Sequence, residues 1–159
     1  QQYVVIYSDF LKNNSAIYKS ADALRALNLK VEINKEVLDA YILLEEFLEP
    51  KIEKRIKKIF IGNEVGGAVA NVMALSLIAN SGFRKDEIEV VSFGTPYFLA
   101  TKALDLNSSF VNLDTDENTK LSVKCCSRSS SSKIIYFKST SKLKQTDLLT
   151  SYQAAIKAI

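Results

Sequence analysis

The heptapeptide Gly62-Asn63-Glu64-Val65-Gly66-Gly67-Ala68 constrains this chain more than any other stretch. It follows the apolar run Ile59-Phe60-Ile61 and opens a helical run from Val69 to Ala79. A short β-branched run, a glycine-bracketed turn and a long apolar helix predict a strand and a helix meeting at a tight corner. That is the context of a G-x-S-x-G nucleophile elbow. The tip of such a corner takes a strained backbone, and only small neighbours let strand and helix approach so closely. A working elbow carries Ser, Cys or Asp at its tip. Here the tip is Glu64, and the 159 residues contain no histidine. Scaffold and chemistry give opposite answers.

The flanking pattern predicts alternating strands and helices. Tyr3-Val4-Val5-Ile6-Tyr7 reads as a buried strand. Ile17, Ala21, Leu24 and Leu27 have helical spacing and predict a helix over Ser15 to Leu27. Leu29 to Ile33 alternates as a strand does. Asn34 stands where a helix cap would, ahead of the apolar stripe Val37, Leu38, Tyr41, Leu44 and Leu48, and Pro50 ends that helix. Lys51, Lys54, Arg55, Lys57 and Lys58 outweigh Glu53 in a basic segment, expected to be a solvated helix face, with a docking patch for an acidic partner as the sharper alternative. Strands are expected at Glu87 to Phe93 and Ser109 to Leu113, with a short helix at Tyr97 to Leu104 between them. A hairpin is expected from Leu121 to Cys126 and Lys133 to Phe137, and a closing amphipathic helix from Gln145 to Ile159. Strands alternating with helices argue a mainly parallel sheet covered on both faces.

Composition excludes several classes. With 47% hydrophobic and 25% charged residues, the balance is that of a globular domain. The net charge of +3 is too small to imply a nucleic-acid partner, and no aromatic side chains interleave with the basic ones. No apolar run approaches the roughly 18 residues of a membrane span. Cys125 and Cys126 are neighbours, so in a strand they point to opposite faces and do not bridge each other. Zinc-type spacing is absent, and no metal or cofactor is expected. The chain begins at Gln1 and its one methionine is Met73, which leads us to expect a processed, exported or trimmed chain.

A wider resemblance joins these elements. Lys58 to Leu75 looks like the G-H-S-L-G-G-A-L-A block of the fungal-type (class 3) lipases. Val90-Val91-Ser92-Phe93-Gly94-Thr95-Pro96 is similar to that family's T-F-G-x-P block. Ile33 to Tyr41 resembles V-H-x-G-F-L-x-x-Y, matching at Leu38 and Tyr41. Tyr3 to Phe10 sits where the family has its F-R-G-T strand and oxyanion loop. The resemblance covers about residues 3 to 120 and, more faintly, 145 to 155. It implies a single α/β-hydrolase-like domain over residues 1–159, with a mainly parallel sheet and helices on both faces. Phe10 to Leu29 is too short to hold both the missing N-terminal sequence and a lid, so a minimal, lidless version is expected.

The departures from the family decide function. Glu64 lies at the family's serine, and Asn63 replaces its histidine neighbour. Asp114 or Asp116 lies near the triad aspartate. Aligning on Ser151-Tyr152 leaves Asp147 nearest to the catalytic histidine's place. Gly62, Asn63, Val65 and Gly66 remain as the elbow and first oxyanion donor. Tyr7-Ser8-Asp9-Phe10 keeps only the aromatic of F-R-G-T, with Ser8 at the remnant of the second donor. A Ser-His-Asp mechanism needs a hydroxyl and a base to take its proton, and both are missing here.

The expectation is therefore a catalytically inactive lipase-like domain that binds a protein partner or a small ligand. One alternative is a hydrolase using carboxylates, Glu64 with Asp114, Asp116 or Asp147. Another is a structural or exported accessory domain. For Glu64 itself two placements are open. Its carboxylate folds over the helix N-terminus and fills the oxyanion site, where dipole and free N–H groups favour negative charge, or it points into solvent.

Overall fold

The structure is a computed structural model and describes residues 1–7, 21–23, 32–95, 106–113 and 133–137. Strands β1 (Gln2–Ile6), β2 (Ala21–Ala23) and β3 (Glu32–Asn34) come first. They are followed by α1 (Lys35–Leu48), β4 (Lys58–Asn63) and α2 (Glu64–Asn80), then β5 (Ile88–Phe93), β6 (Ser108–Leu113) and β7 (Lys133–Phe137). Strands β1, β4, β5, β6 and β7 form one sheet in that order. Every neighbouring pair is parallel, with Gln2 opposite Lys58, Lys58 opposite Ile88, Val90 opposite Ser108 and Ser109 opposite Lys133. Parallel neighbours require a crossover between them. Between β4 and β5 that crossover is α2.

Period-two burial sets the faces. In β4 the buried residues are Lys58, Phe60 and Gly62, and in β5 they are Ile88, Val90 and Ser92. These point toward α2. Helix α2 is buried continuously from Gly66 to Leu77, which explains why its apolar residues run all round it. It lies between the sheet and α1. Val37 and Tyr41 of α1, 0% and 1% exposed, join Val69, Met73 and Leu77 of α2 and Phe60, Val90 and Phe110 of the sheet in one core. Leu38, Leu44 and Leu48 pack at its margin, so the stripe read from the sequence faces inward. The helix stops at Leu48, and Pro50 sits in the 3-10 turn Glu49–Lys51 that follows.

Two expectations are corrected. The helix expected over Ser15 to Leu27 does not hold at Ala21–Ala23, which is a strand paired antiparallel with Glu32–Asn34. Pairing across sequence overrides the local helical spacing. The basic segment is not a helix either. It is a turn with Arg55 at φ 67°, and its last lysine, Lys58, is fully buried as the first residue of β4. Lys58 Nζ reaches Glu87 Oε2 at 3.2 Å and lies 4.9 Å from the Phe83 ring centroid. A buried ammonium is tolerable only with such partners.

The strand at Lys133–Phe137 is present and runs parallel to β6. Its expected hairpin partner, Leu121 to Cys126, lies outside the described residues. So do the helices expected at Tyr97 to Leu104 and Gln145 to Ile159. Among the described residues both helices stack on one side of the sheet. None of those helices is long and apolar enough to cross a membrane.

Candidate functional site

The corner sits at the C-terminal end of β4, the strand beside β1 in the parallel sheet, at the end of the strands where open α/β folds place their ligands. Asn63 is still extended, at φ −118° and ψ 144°, and helix α2 begins at the next residue. Glu64 makes the turn in the left-handed region, at φ 49°. For a residue with a side chain this conformation costs about 1–2 kcal/mol, and surrounding structure has to impose it.

The glycines show how it is imposed. A Cβ at Gly62 would lie 2.4 Å from the Gly66 carbonyl oxygen and 2.6 Å from Gly67 Cα. The strand end and the first helical turn are in backbone contact. A Cβ at Gly67 would lie 1.9 Å from Thr95 Oγ1 and 3.1 Å from Ser92 Cβ. Helix α2 is thus pressed onto the end of β5 as well. The Thr95 hydroxyl, itself buried, donates to the Glu64 carbonyl oxygen at 3.1 Å. Beneath the corner, Asn71 Nδ2 donates to the Gly67 carbonyl at 2.8 Å and to Ser92 Oγ at 2.8 Å. Asn71 and Ser92 are 3% and 0% exposed, so these bonds satisfy polar groups that would otherwise be buried without partners.

Glu64 is half-buried and its Oε2 is shut off from solvent. That contradicts the placement in which the carboxylate simply points into water. An anion at this position faces the positive end of α2, where the first N–H groups have no intrahelical acceptor. Val65, whose N–H follows the tip, is partly buried and packs its side chain against the core.

The structure therefore brings together Gly62, Asn63, Glu64, Val65 and Gly66 as the sequence predicts. Ser8, Asp114, Asp116 and Asp147 lie outside the described residues. The clamp of Thr95, Ser92 and Asn71 was missed. Ser92 and Thr95 fall inside the Val90 to Pro96 block that carries the resemblance, and Asn71 is a lone amide in an apolar helix, so a signal was present for each. No group of three His, Cys, Asp or Glu suited to holding a metal occurs among the described residues.

A parallel sheet in which a strand flanked on both sides turns through a left-handed residue into a buried helix, with glycines on both sides of the turn, defines an α/β-hydrolase fold with a nucleophile-elbow scaffold. The family model for Lipase (class 3) matches residues 5–123. This chain belongs to the class 3 lipase family.

Solved structures agree on the fold. The lipase from Rhizopus microsporus var. chinensis matches with a TM-score of 0.64 at 12% identity, covering 74% of this chain and 47% of that one. Rhizomucor miehei lipase in its propeptide complex matches with a TM-score of 0.54 at 18% identity, covering 74% and 43%. Lipase II from Rhizopus niveus matches with a TM-score of 0.52 at 16% identity, covering 74% and 51%. At such identities the likeness shows the fold alone. The chain spans about half the length of the lipases it matches. A sequence search of curated proteins returned no match.

Proposed function

We propose that this chain is a lipase-fold domain that binds a protein partner or a small ligand and performs no serine acyl transfer. The observation that carries the reading is Glu64 at the left-handed tip of the elbow, with Oε2 out of solvent. The scaffold that would present a nucleophile is complete: Gly62 and Gly67 make the close approach, and Thr95 holds the tip's carbonyl. What it presents is a carboxylate at a helix N-terminus. That group is favoured there as an anion and offers no hydroxyl to activate. These 159 residues also supply no imidazole to take a proton.

Nucleophile and base act as a unit, so restoring one without the other returns little rate. Steady-state hydrolysis of chromogenic short-chain and long-chain acyl esters tests the reading. The expected result is no turnover above background for the wild type and none for Glu64→Ser. Turnover by the wild type that disappears on Glu64→Gln would overturn it in favour of a carboxylate-based hydrolase. Such an enzyme would need a second carboxylate beside Glu64, with Asp114, Asp116 and Asp147 as the candidates from sequence.

A further inference from the structure

The sheet has a second face, and its burial is uneven. Even-numbered residues of β1, β4 and β5 pack toward α2, so the odd-numbered ones point away from it. Register carries that second face across the sheet: Val5 stands opposite Ile61, Ile61 opposite Val91, and Phe93 opposite Val111. On β1 the face is open, with Tyr3 60% and Val5 69% exposed. Ile61, Val91 and Phe93 are half-buried. On β6, Val111 is only 6% exposed, yet it lies outside the core that α2 completes. Part of this chain therefore lies over the β6 side of the second face and stops before β1. Among the described residues both helices stack on the other face, so neither supplies this cover.

Topology narrows what the cover can be. The strands are ordered β1-β4-β5-β6-β7, which is also their order along the chain. Every crossover therefore steps across the sheet in the same direction. Parallel crossovers are almost always right-handed, so steps in one direction put their connecting segments on one face. The two crossovers with a described helix obey this: α1 precedes β4, α2 precedes β5, and the two helices pack on each other. The same hand keeps the β5–β6 and β6–β7 connections off the second face. Within these 159 residues that leaves the segment after β7, residues 138–159. We infer that residues 145–159 pack as an amphipathic helix on the second face of the sheet, centred over β6. Leu148, Leu149, Tyr152, Ala155, Ile156 and Ile159 recur on one side of such a helix, with Asp147, Thr150, Gln153 and Lys157 on the other. Its length of about 22 Å matches the roughly 20 Å of β6. Residues 138–144 reach at most about 25 Å, enough to turn over the sheet at β7. A helix about 10 Å wide covers roughly two strands spaced about 4.8 Å apart. Arriving from the β7 side, it buries Val111 and leaves β1, three strands from β6, open.

The test is amide hydrogen exchange of the whole 159-residue chain read by mass spectrometry, with thiol labelling as a second measurement. Peptides within residues 148–159 should exchange about 100-fold or more slower than an unstructured chain, because a packed helix closes their amides. Exchange there at the unstructured rate would overturn the inference. For labelling, Val5→Cys and Val111→Cys are each made in a Cys125→Ser, Cys126→Ser background. A soluble maleimide should modify Val5→Cys at once and Val111→Cys about 100-fold more slowly. Adding Leu149→Glu and Ile156→Glu should raise the rate at Val111→Cys to that at Val5→Cys, with β-sheet circular dichroism retained. Protection of Val111→Cys that survives both glutamates would mean that another segment covers β6 and would overturn the inference. Should the glutamates unfold the chain, exchange in the wild type decides alone.

Discussion

Gly62→Ala probes the corner most sharply. The added Cβ would sit 2.4 Å from the Gly66 carbonyl oxygen, 2.5 Å from the Gly66 carbonyl carbon and 2.6 Å from Gly67 Cα. Ordinary contact begins at 3.4 Å, so the strand end and the first turn of α2 must part by about 1 Å. No obstructing side chain can rotate away, because all three atoms are backbone. Helix α2 cannot retreat easily, since it is buried from Gly66 to Leu77 between the sheet and α1. Overpacking a tight site costs about 1–3 kcal/mol, and a backbone obstacle puts this one near ~3 kcal/mol. In a chain of this size each kcal/mol lowers the melting temperature by about 2–4 °C, so a fall of roughly 6–12 °C is expected. Urea denaturation with linear extrapolation gives the free energy directly. Gly82→Ala is the control. Its φ is 70° with no atom within 4 Å of the added carbon, so only the left-handed penalty of about 1 kcal/mol applies. A Gly62→Ala variant within about 0.5 kcal/mol of wild type would show that strand and helix are not in contact and would refute the physical reading of the glycine bracket.

Three further outcomes are expected. Gly67→Ala meets mainly one side-chain atom, Thr95 Oγ1, so Thr95→Ala should relieve it in part: the double variant should be less destabilised than the sum of the singles by about 1 kcal/mol, and strict additivity would refute the contact. Tyr41 is buried, and its hydroxyl lies 2.5 Å from Glu45 Oε1 and 2.7 Å from Ser76 Oγ. Burial first, and the bond to Glu45 second, push its pKa up. Its contribution is whole below the unfolded tyrosine value of about 10 and is lost as pH rises from there toward the folded value, so Tyr41→Phe should flatten the alkaline fall in stability, whereas parallel curves would count against the assignment. Glu87→Gln removes the charged partner of fully buried Lys58 and should cost about 2–4 kcal/mol, while Glu89→Gln, which breaks the half-exposed pair with Lys57, should cost less than about 1 kcal/mol; equal losses in denaturant melts would contradict the difference in burial.

What the sequence revealed followed from short-range constraints. Gly62 and Gly66 around Glu64 argue a tight strand-to-helix turn because an apolar strand run precedes them and a helical run follows, and the Val90 to Pro96 block downstream separates that turn from the similar glycine-flanked turns of phosphate-binding α/β proteins. Val37, Leu38, Tyr41, Leu44 and Leu48 marked the buried face of α1, and Pro50 marked its end. What stayed hidden depended on partners far along the chain. Ala21–Ala23 is a strand only because Glu32–Asn34 lies beside it, and its own spacing suits a helix. Lys58 looked solvated because lysine usually is, yet Glu87 and Phe83 make its burial tolerable from 29 and 25 residues away. Thr95 became part of the site only when β5 was placed beside β4, which brought its hydroxyl to the carbonyl of Glu64.

The central claim is that this chain holds a complete elbow scaffold but not the chemistry of serine acyl transfer. The most direct measurement is intact-mass analysis after exposure to an alkyl phosphonate ester, which forms a stable adduct with an activated serine nucleophile. It should be run on the wild type and on Glu64→Ser, with folding confirmed by circular dichroism. The account predicts unmodified mass for both proteins. One phosphonyl group per chain on the variant, mapped to position 64, would show that this chain supplies its own base and would contradict the account.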